Sequence, residues 1–211
     1  MTKKLLFGLA TLALSANIAM ATVAPIQLAQ RAGNKTTTMH KAVANDDTQV
    51  LLEDFEQINT TTMMPEGWVV FDAATLMKSA NIAETSENNA QAFEGTNALY
   101  SYFDDENVRD AWAISTAMTL EANVTYHVGV YAYCPGYNIA DQWQLTFGSA
   151  QTPEAQTNVV IDCTGKNAKK DTEYTLYTGT FTPTTSGTYY LGIHHCTNDM
   201  GANICLWDYL Q

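Results

Sequence analysis

Basic residues are few in this chain. Ten Lys and Arg stand against 22 Asp and Glu in 211 residues, a formal charge of −12. So acidic a surface repels nucleic-acid phosphates and anionic headgroups, and neither is expected as a partner. Long apolar runs are also missing. Residues 5–16 are interrupted by Gly8, Thr11 and Ser15, and they fall short of the roughly 20 residues a membrane span needs. No membrane insertion is expected. The four cysteines contain no close C-x-x-C pair, so zinc is not indicated by spacing. No G-x-S-x-G elbow, Walker loop or H-E-x-x-H occurs, and no two of the 22 acids are singled out as a glycosidase pair. The chain reads as non-catalytic.

What the N-terminus holds is an export signal. Lys3 and Lys4 precede the short apolar run, and Ala19-Met20-Ala21 supplies the small-x-small site that signal peptidase requires. No cysteine lies near that site, which argues against a lipid anchor. Residues 1–21 are therefore expected to be removed, and the protein to be secreted, extracellular or on the cell surface. Without Lys3 and Lys4, eight basic residues face 22 acids, a formal charge of −14. Residues 22–48 carry no sustained apolar period and read as a flexible leader, leaving 49–211 as one domain.

Strand signals dominate that domain. A strand is expected from Gln49, a turn at Pro65-Glu66-Gly67, and a short strand over 68–71. Residues 73–92 mix helix formers with Asn and Ser and read as an irregular loop. Further strands are expected at 98–103, 111–115, 124–134, 142–147, 159–162, 174–182, 187–195 and 203–210. In 124–134, Tyr126, Val128, Val130 and Ala132 alternate with His127, Gly129, Tyr131 and Tyr133. Short strands between Gly, Pro, Asn and Thr turns specify an all-β sandwich or barrel.

Adjacent residues on a strand face opposite ways, so His194 and His195 cannot share a metal; one should pack and one lie at the surface. Trp68 and Trp112 stand in short apolar strands and are assigned to the core or its edge. In an exported chain the cysteines can be oxidised. Cys196 and Cys205 flank a turn-rich connection and are expected to pair, which leaves Cys134 with Cys163; free buried thiols are the alternative.

Four segments together resemble the cleaved-adhesin or "choice-of-anchor" domains of gingipain-type and other secreted Bacteroidetes proteins. They are Glu53-Asp54-Phe55-Glu56 with Pro65-Glu66-Gly67-Trp68; Asp110-Ala111-Trp112-Ala113-Ile114-Ser115 with Met118-Thr119-Leu120; Thr180-Phe181-Thr182-Pro183 with residues 186–193; and Leu206-Trp207-Asp208-Tyr209-Leu210. The series covers about residues 50–210 in order. Tyr209 replaces the second acid of the family's final pair, and the cysteines are not part of the pattern.

The resemblance implies a jelly-roll β-sandwich of two antiparallel sheets that binds a glycan or a host surface protein. It further implies a structural calcium between the first and last strands, at Glu56 and Asp208, with Glu94 supplying another oxygen. For the ligand, sugars stack on aromatic rings while amides hold their hydroxyls. His127, Tyr131, Tyr133, Gln142 and Gln144 would form such a surface if their two strands are neighbours; otherwise the tyrosines pack beneath a loop. The competing classes are a structural or accessory module of a larger surface protein, and a secreted hydrolase, which would need a deep acidic pocket.

Overall fold

The computed structural model describes residues 49–81, 91–102, 104, 108–198 and 204–211, all within a compact unit spanning Asp46–Gln211. The signal segment 1–21 and leader 22–48 lie outside the described residues, as do 82–90 of the irregular stretch and the start of the last expected strand.

The elements are β1 (Ile58–Asn59), β2 (Met64–Pro65), β3 (Val69–Phe71), β4 (Met77–Asn81), β5 (Asn97–Ser101), β6 (Ala111–Ile114), β7 (Met118–Leu120), β8 (Tyr126–Tyr133), β9 (Trp143–Gly148), β10 (Asn158–Cys163), β11 (Thr175–Phe181), β12 (Gly187–His195) and β13 (Cys205–Asp208). The only helical elements among the described residues are two 3-10 turns, Pro153–Ala155 and Gly165–Asn167. One antiparallel sheet runs β10-β9-β12-β6-β3, with β7 also paired to β12; the other runs β11-β8-β13-β5-β4. β1 and β2 form a small hairpin. The architecture is the expected jelly-roll sandwich.

Period-two alternation decides which side of each strand is inside. Val128, Val130 and Ala132 of β8 face Trp143, Leu145 and Phe147 of β9 across the core, together with Leu191 and Ile193 of β12 and Trp207 of β13. Trp143 and Trp207 meet edge to face at 5.9 Å, and Phe147 stacks on Phe181 at 4.5 Å. Trp68 is buried against Phe55, as expected.

Three expectations are corrected. Residues 77–81 form β4 rather than part of a loop: the Asp72 carboxylate accepts the amides of Ala74, Leu76 and Met77, and this anchored turn delivers the chain to the edge of β5. Tertiary pairing overrides the helical leaning of Ala and Met. The strand expected from Gln49 is reduced to one bridge, Glu53 to Leu210. Last, the disulfide joins Cys134 to Cys205, while Cys163 and Cys196 are free. Leu206 pairs with Tyr133, which puts Cys205 directly across from Cys134 on the neighbouring strand. The expected Cys196–Cys205 and Cys134–Cys163 pairs fail because Cys134 and Cys205 take each other across neighbouring strands, leaving Cys163 and Cys196 as free thiols.

Candidate functional site

The expected sugar surface does not assemble. β8 and β9 lie in opposite sheets, so His127, Tyr131 and Tyr133 project from one outer face and Gln142 and Gln144 from the other. Tyr131 stacks on Phe93 at 3.6 Å, and Tyr133 packs beside Tyr174 in a second cluster around Tyr100, Ile204 and Leu206. The tyrosines lie beneath a covering segment, the alternative the sequence had left open. His127 stays exposed, opposite Thr180.

A different row of side chains crosses the opposite sheet. Phe71 pairs with Trp112, Trp112 with His194, His194 with Gln144, and Gln144 with Asp162. Their chain neighbours Ala111, Ala113, Ile193, His195, Trp143 and Leu145 are buried, so the row points outward. Trp112, expected in the core or at its edge, therefore stands half-buried on this outer face, stacked on His194 at 3.8 Å and 11° between planes. Ala111 and Ala113 are the inward residues of its strand. As expected, His195 is packed and His194 lies on the outer side.

Burial lowers the His194 pKa below its ordinary value, against the opposing pull of Asp110, so the ring is neutral at pH 7. The Asp110 carboxylate only accepts, so Nε2–H donates to it at 2.8 Å and Nδ1 keeps a lone pair with no partner. Gln144 donates to Asp162 at 3.2 Å. On one side the row is bordered by Gln142, which holds Asn198 and the Gly165 amide. On the other side Gln156 and Thr146 fill the space over Gly192, where a Cβ would lie 2.8 Å from Thr146 Oγ1. Gln151 ties the adjoining loop to the carbonyls of Gly67 and Ser115. The result is a bounded strip of aromatic and polar groups. The sequence marked Gln142 and Gln144 within it but missed Phe71, Trp112 and His194, because sheet neighbours are not adjacent in the chain.

Of the three acids expected at a calcium site, Glu56 and Asp208 lie close enough for their charges to interact. The segment 93–97 carries Glu94 and bridges the other two. Glu94 N donates to Asp208 Oδ2 at 3.0 Å, while Thr96 N and Asn97 N donate to Glu56 Oε1 at 2.8 and 2.7 Å. Tyr209 N donates to Asp208 Oδ1 at 2.7 Å. Phe55 and Tyr209, beside two of the acids, both adopt positive φ, 57° and 48°, the kind of local strain that gathers at ligand clamps. Burial pushes the fully buried Asp208 up to about 7 despite its amide donors, and the Glu56 charge adds to the rise. Each carboxylate oxygen offers two acceptor positions; Glu56 Oε1 fills both with the Thr96 and Asn97 amides, while Oε2 accepts the Thr96 hydroxyl at 3.1 Å and keeps room for a cation. The donor set is hard oxygen throughout, which fits calcium.

A third constellation is sealed inside. Ser101 Oγ lies 2.9 Å from His195 Nδ1, and Asp141 Oδ1 lies 3.5 Å from His195 Nε2. The order resembles a nucleophilic triad. Yet Ser101 and His195 are 0% exposed, and Arg109 donates to the same Ser101 oxygen at 2.7 Å. Arg109 also holds Asp72 through both guanidinium nitrogens, at 3.1 and 3.0 Å. Within the folded domain this network reaches no substrate and ties loops to sheets.

The two packed antiparallel sheets define a jelly-roll domain. Two cleaved adhesin domains of Lys-gingipain superpose on it. K1, from Porphyromonas gingivalis W83, gives a TM-score of 0.52 at 16% identity over 76% of this chain and 95% of that one. K2 gives 0.53 at 18% identity over 76% and 96%. The tandem CBM22-1–CBM22-2 domain of Xyn10C from Paenibacillus barcinonensis gives 0.50 at 14% identity, over 81% of this chain and 46% of that one. These likenesses show the fold. No family model and no curated protein matches the sequence.

Proposed function

We propose that this domain is an exported, non-catalytic binding module that takes a glycan along the strip Phe71–Trp112–His194–Gln144–Asp162. The observation that carries the reading is the strip itself. Strands about 4.8 Å apart present an aromatic edge, an amide and a carboxylate in one line. Such a line suits an extended sugar chain, whose C–H faces stack on rings and whose hydroxyls need amide and carboxylate partners. His194 covers one face of the Trp112 indole, and the half-buried ring keeps part of its surface toward solvent for a ligand. The structural neighbours, adhesin domains and a CBM22 tandem, support the binding class. The Cys134–Cys205 bond supports an oxidising, extracellular or cell-surface location. Among the described residues no helix is long and apolar enough to cross a membrane.

A glycan array with wild-type and Trp112→Ala protein tests this. Retention of a polysaccharide by the wild type and its loss in Trp112→Ala, with folding intact, is the expected result. Capture of a host surface protein through the same Trp112-dependent face would favour the protein-ligand reading. Binding of neither class would leave the module a structural spacer.

We further propose that Glu56, Asp208 and Glu94 hold a structural calcium. Their carboxylates would supply three of its roughly six to eight oxygen ligands, with backbone carbonyls and water completing the shell.

A further inference from the structure

Two sulfurs, an imidazole and a carboxylate meet in the core. The ligand atoms of Asp141, His195 and Cys205 lie within 4.8 Å of one another. Cys134 is bonded to Cys205 and brings a second sulfur to the same place. All four residues are at most 1% exposed. They come from both sheets: His195 ends β12, Asp141 precedes β9, Cys205 opens β13 and Cys134 follows β8. We propose that, once the disulfide is opened, Cys134, Cys205, His195 and Asp141 form a site for a zinc-class transition-metal ion.

The donor set favours zinc over the hard cations. Two thiolates, an imidazole nitrogen and a carboxylate oxygen complete the four-coordinate tetrahedral shell that zinc prefers, whereas calcium and magnesium take oxygen. Opening the S–S bond frees the sulfurs to part and flank an ion at about 2.3 Å each. Whichever ring nitrogen of His195 binds, the other keeps a hydroxyl partner that fixes the ring, Ser101 Oγ or Thr197 Oγ1, each at 2.9 Å.

The chemistry balances with a dithiol as reductant. Two electrons and two protons pass from the dithiol to the cystine, giving two protein thiols and a cyclic disulfide. Metal binding then releases both thiol protons. The disulfide and the metal are thus alternative staples at one place. The bond links β8 to β13 within one sheet; the ion would also tie in residues flanking β9 and β12 of the other.

The test titrates the full chain with cobalt(II) and then zinc, before and after dithiol reduction. Reduced protein should bind one ion, show thiolate-to-cobalt charge-transfer absorption and melt higher with zinc, whereas oxidised protein should do none of these. Alkylation mapped by peptide mass needs no variant. At free zinc about tenfold above Kd, about a tenth of the site stays open, so labelling of Cys134 and Cys205 should slow about tenfold while Cys196 labels unchanged. His195→Gln should weaken the cobalt spectrum, and Cys205→Ser provides a second check if that variant does not fold. Reduced protein that takes up no zinc, or zinc that shields Cys163 and Cys196 instead, overturns the proposal.

Discussion

At the residue scale, two side chains decide what a single substitution would do. Arg109 is the buried counter-ion of Asp72, with both side chains 2% exposed. Removing one partner of such a pair leaves an uncompensated charge, so Arg109→Met should cost about 3–5 kcal/mol in urea unfolding. Burial alone would raise the Asp72 pKa, but Arg109 and the amides of Leu76 and Met77 outweigh it and the net shift is downward. A depressed folded pKa contributes stability above the unfolded value of about 3.9, and that stability is lost as pH falls through the folded value. Asp72→Asn should therefore flatten the acid limb of the stability curve, read from unfolding free energies at successive pH values. Trp112 behaves differently. Standing on the outer face with one side against His194, its loss should lower stability less than Trp143→Ala, for which about 3–5 kcal/mol is typical of a buried Trp. Parallel thermal melts of the two variants, set beside the glycan binding of Trp112→Ala, check this ordering.

At the element scale, alternation was legible where the strand was long. β8 placed Val128, Val130 and Ala132 inward as its sequence indicated. β6 gave no such signal, because Trp112 sits between two alanines in a four-residue strand and hydrophobicity does not say which side is core. Sheet neighbours were illegible as well. β8 and β9 follow each other in the chain yet lie in different sheets, which dispersed the expected aromatic surface and misdirected the cysteine pairing. Glu56 and Asp208, by contrast, were linked from motif positions at both ends of the domain, and the 93–97 segment bridges them. The disulfide spans 71 residues between two adjacent strands. Closing so long a loop restricts the unfolded chain, and loss of a native bond of this kind typically costs about 2–5 kcal/mol. Non-reducing peptide mapping should recover Cys134 joined to Cys205, and Cys134→Ala with Cys205→Ala should melt earlier than the oxidised parent.

At the scale of the whole molecule, the sandwich is closed where its beginning meets its end. Glu53 pairs with Leu210 through two backbone hydrogen bonds of 2.8 Å, and the 93–97 segment joins Glu56 to Asp208 beside them. Without a cation this junction holds two carboxylates close enough for the Glu56 charge to raise the pKa of Asp208. Like charges in a poorly solvated place repel, and an ion between them turns that repulsion into attraction. Calcium bound only by the folded chain stabilises it by mass action, by about 2.7 kcal/mol when free calcium stands a hundredfold above Kd. Melting temperature should therefore rise with millimolar calcium and fall on chelation. Glu56→Gln with Asp208→Asn should melt at the same temperature with or without the ion, since the amides keep the hydrogen-bond geometry but lose the charge that attracts it. The zinc site is distinguished by its need for prior reduction, so the calcium response must persist in fully oxidised protein. If calcium leaves the melting curve of the oxidised wild type where it was, Glu56 and Asp208 are held by hydrogen bonds alone and the junction needs no metal.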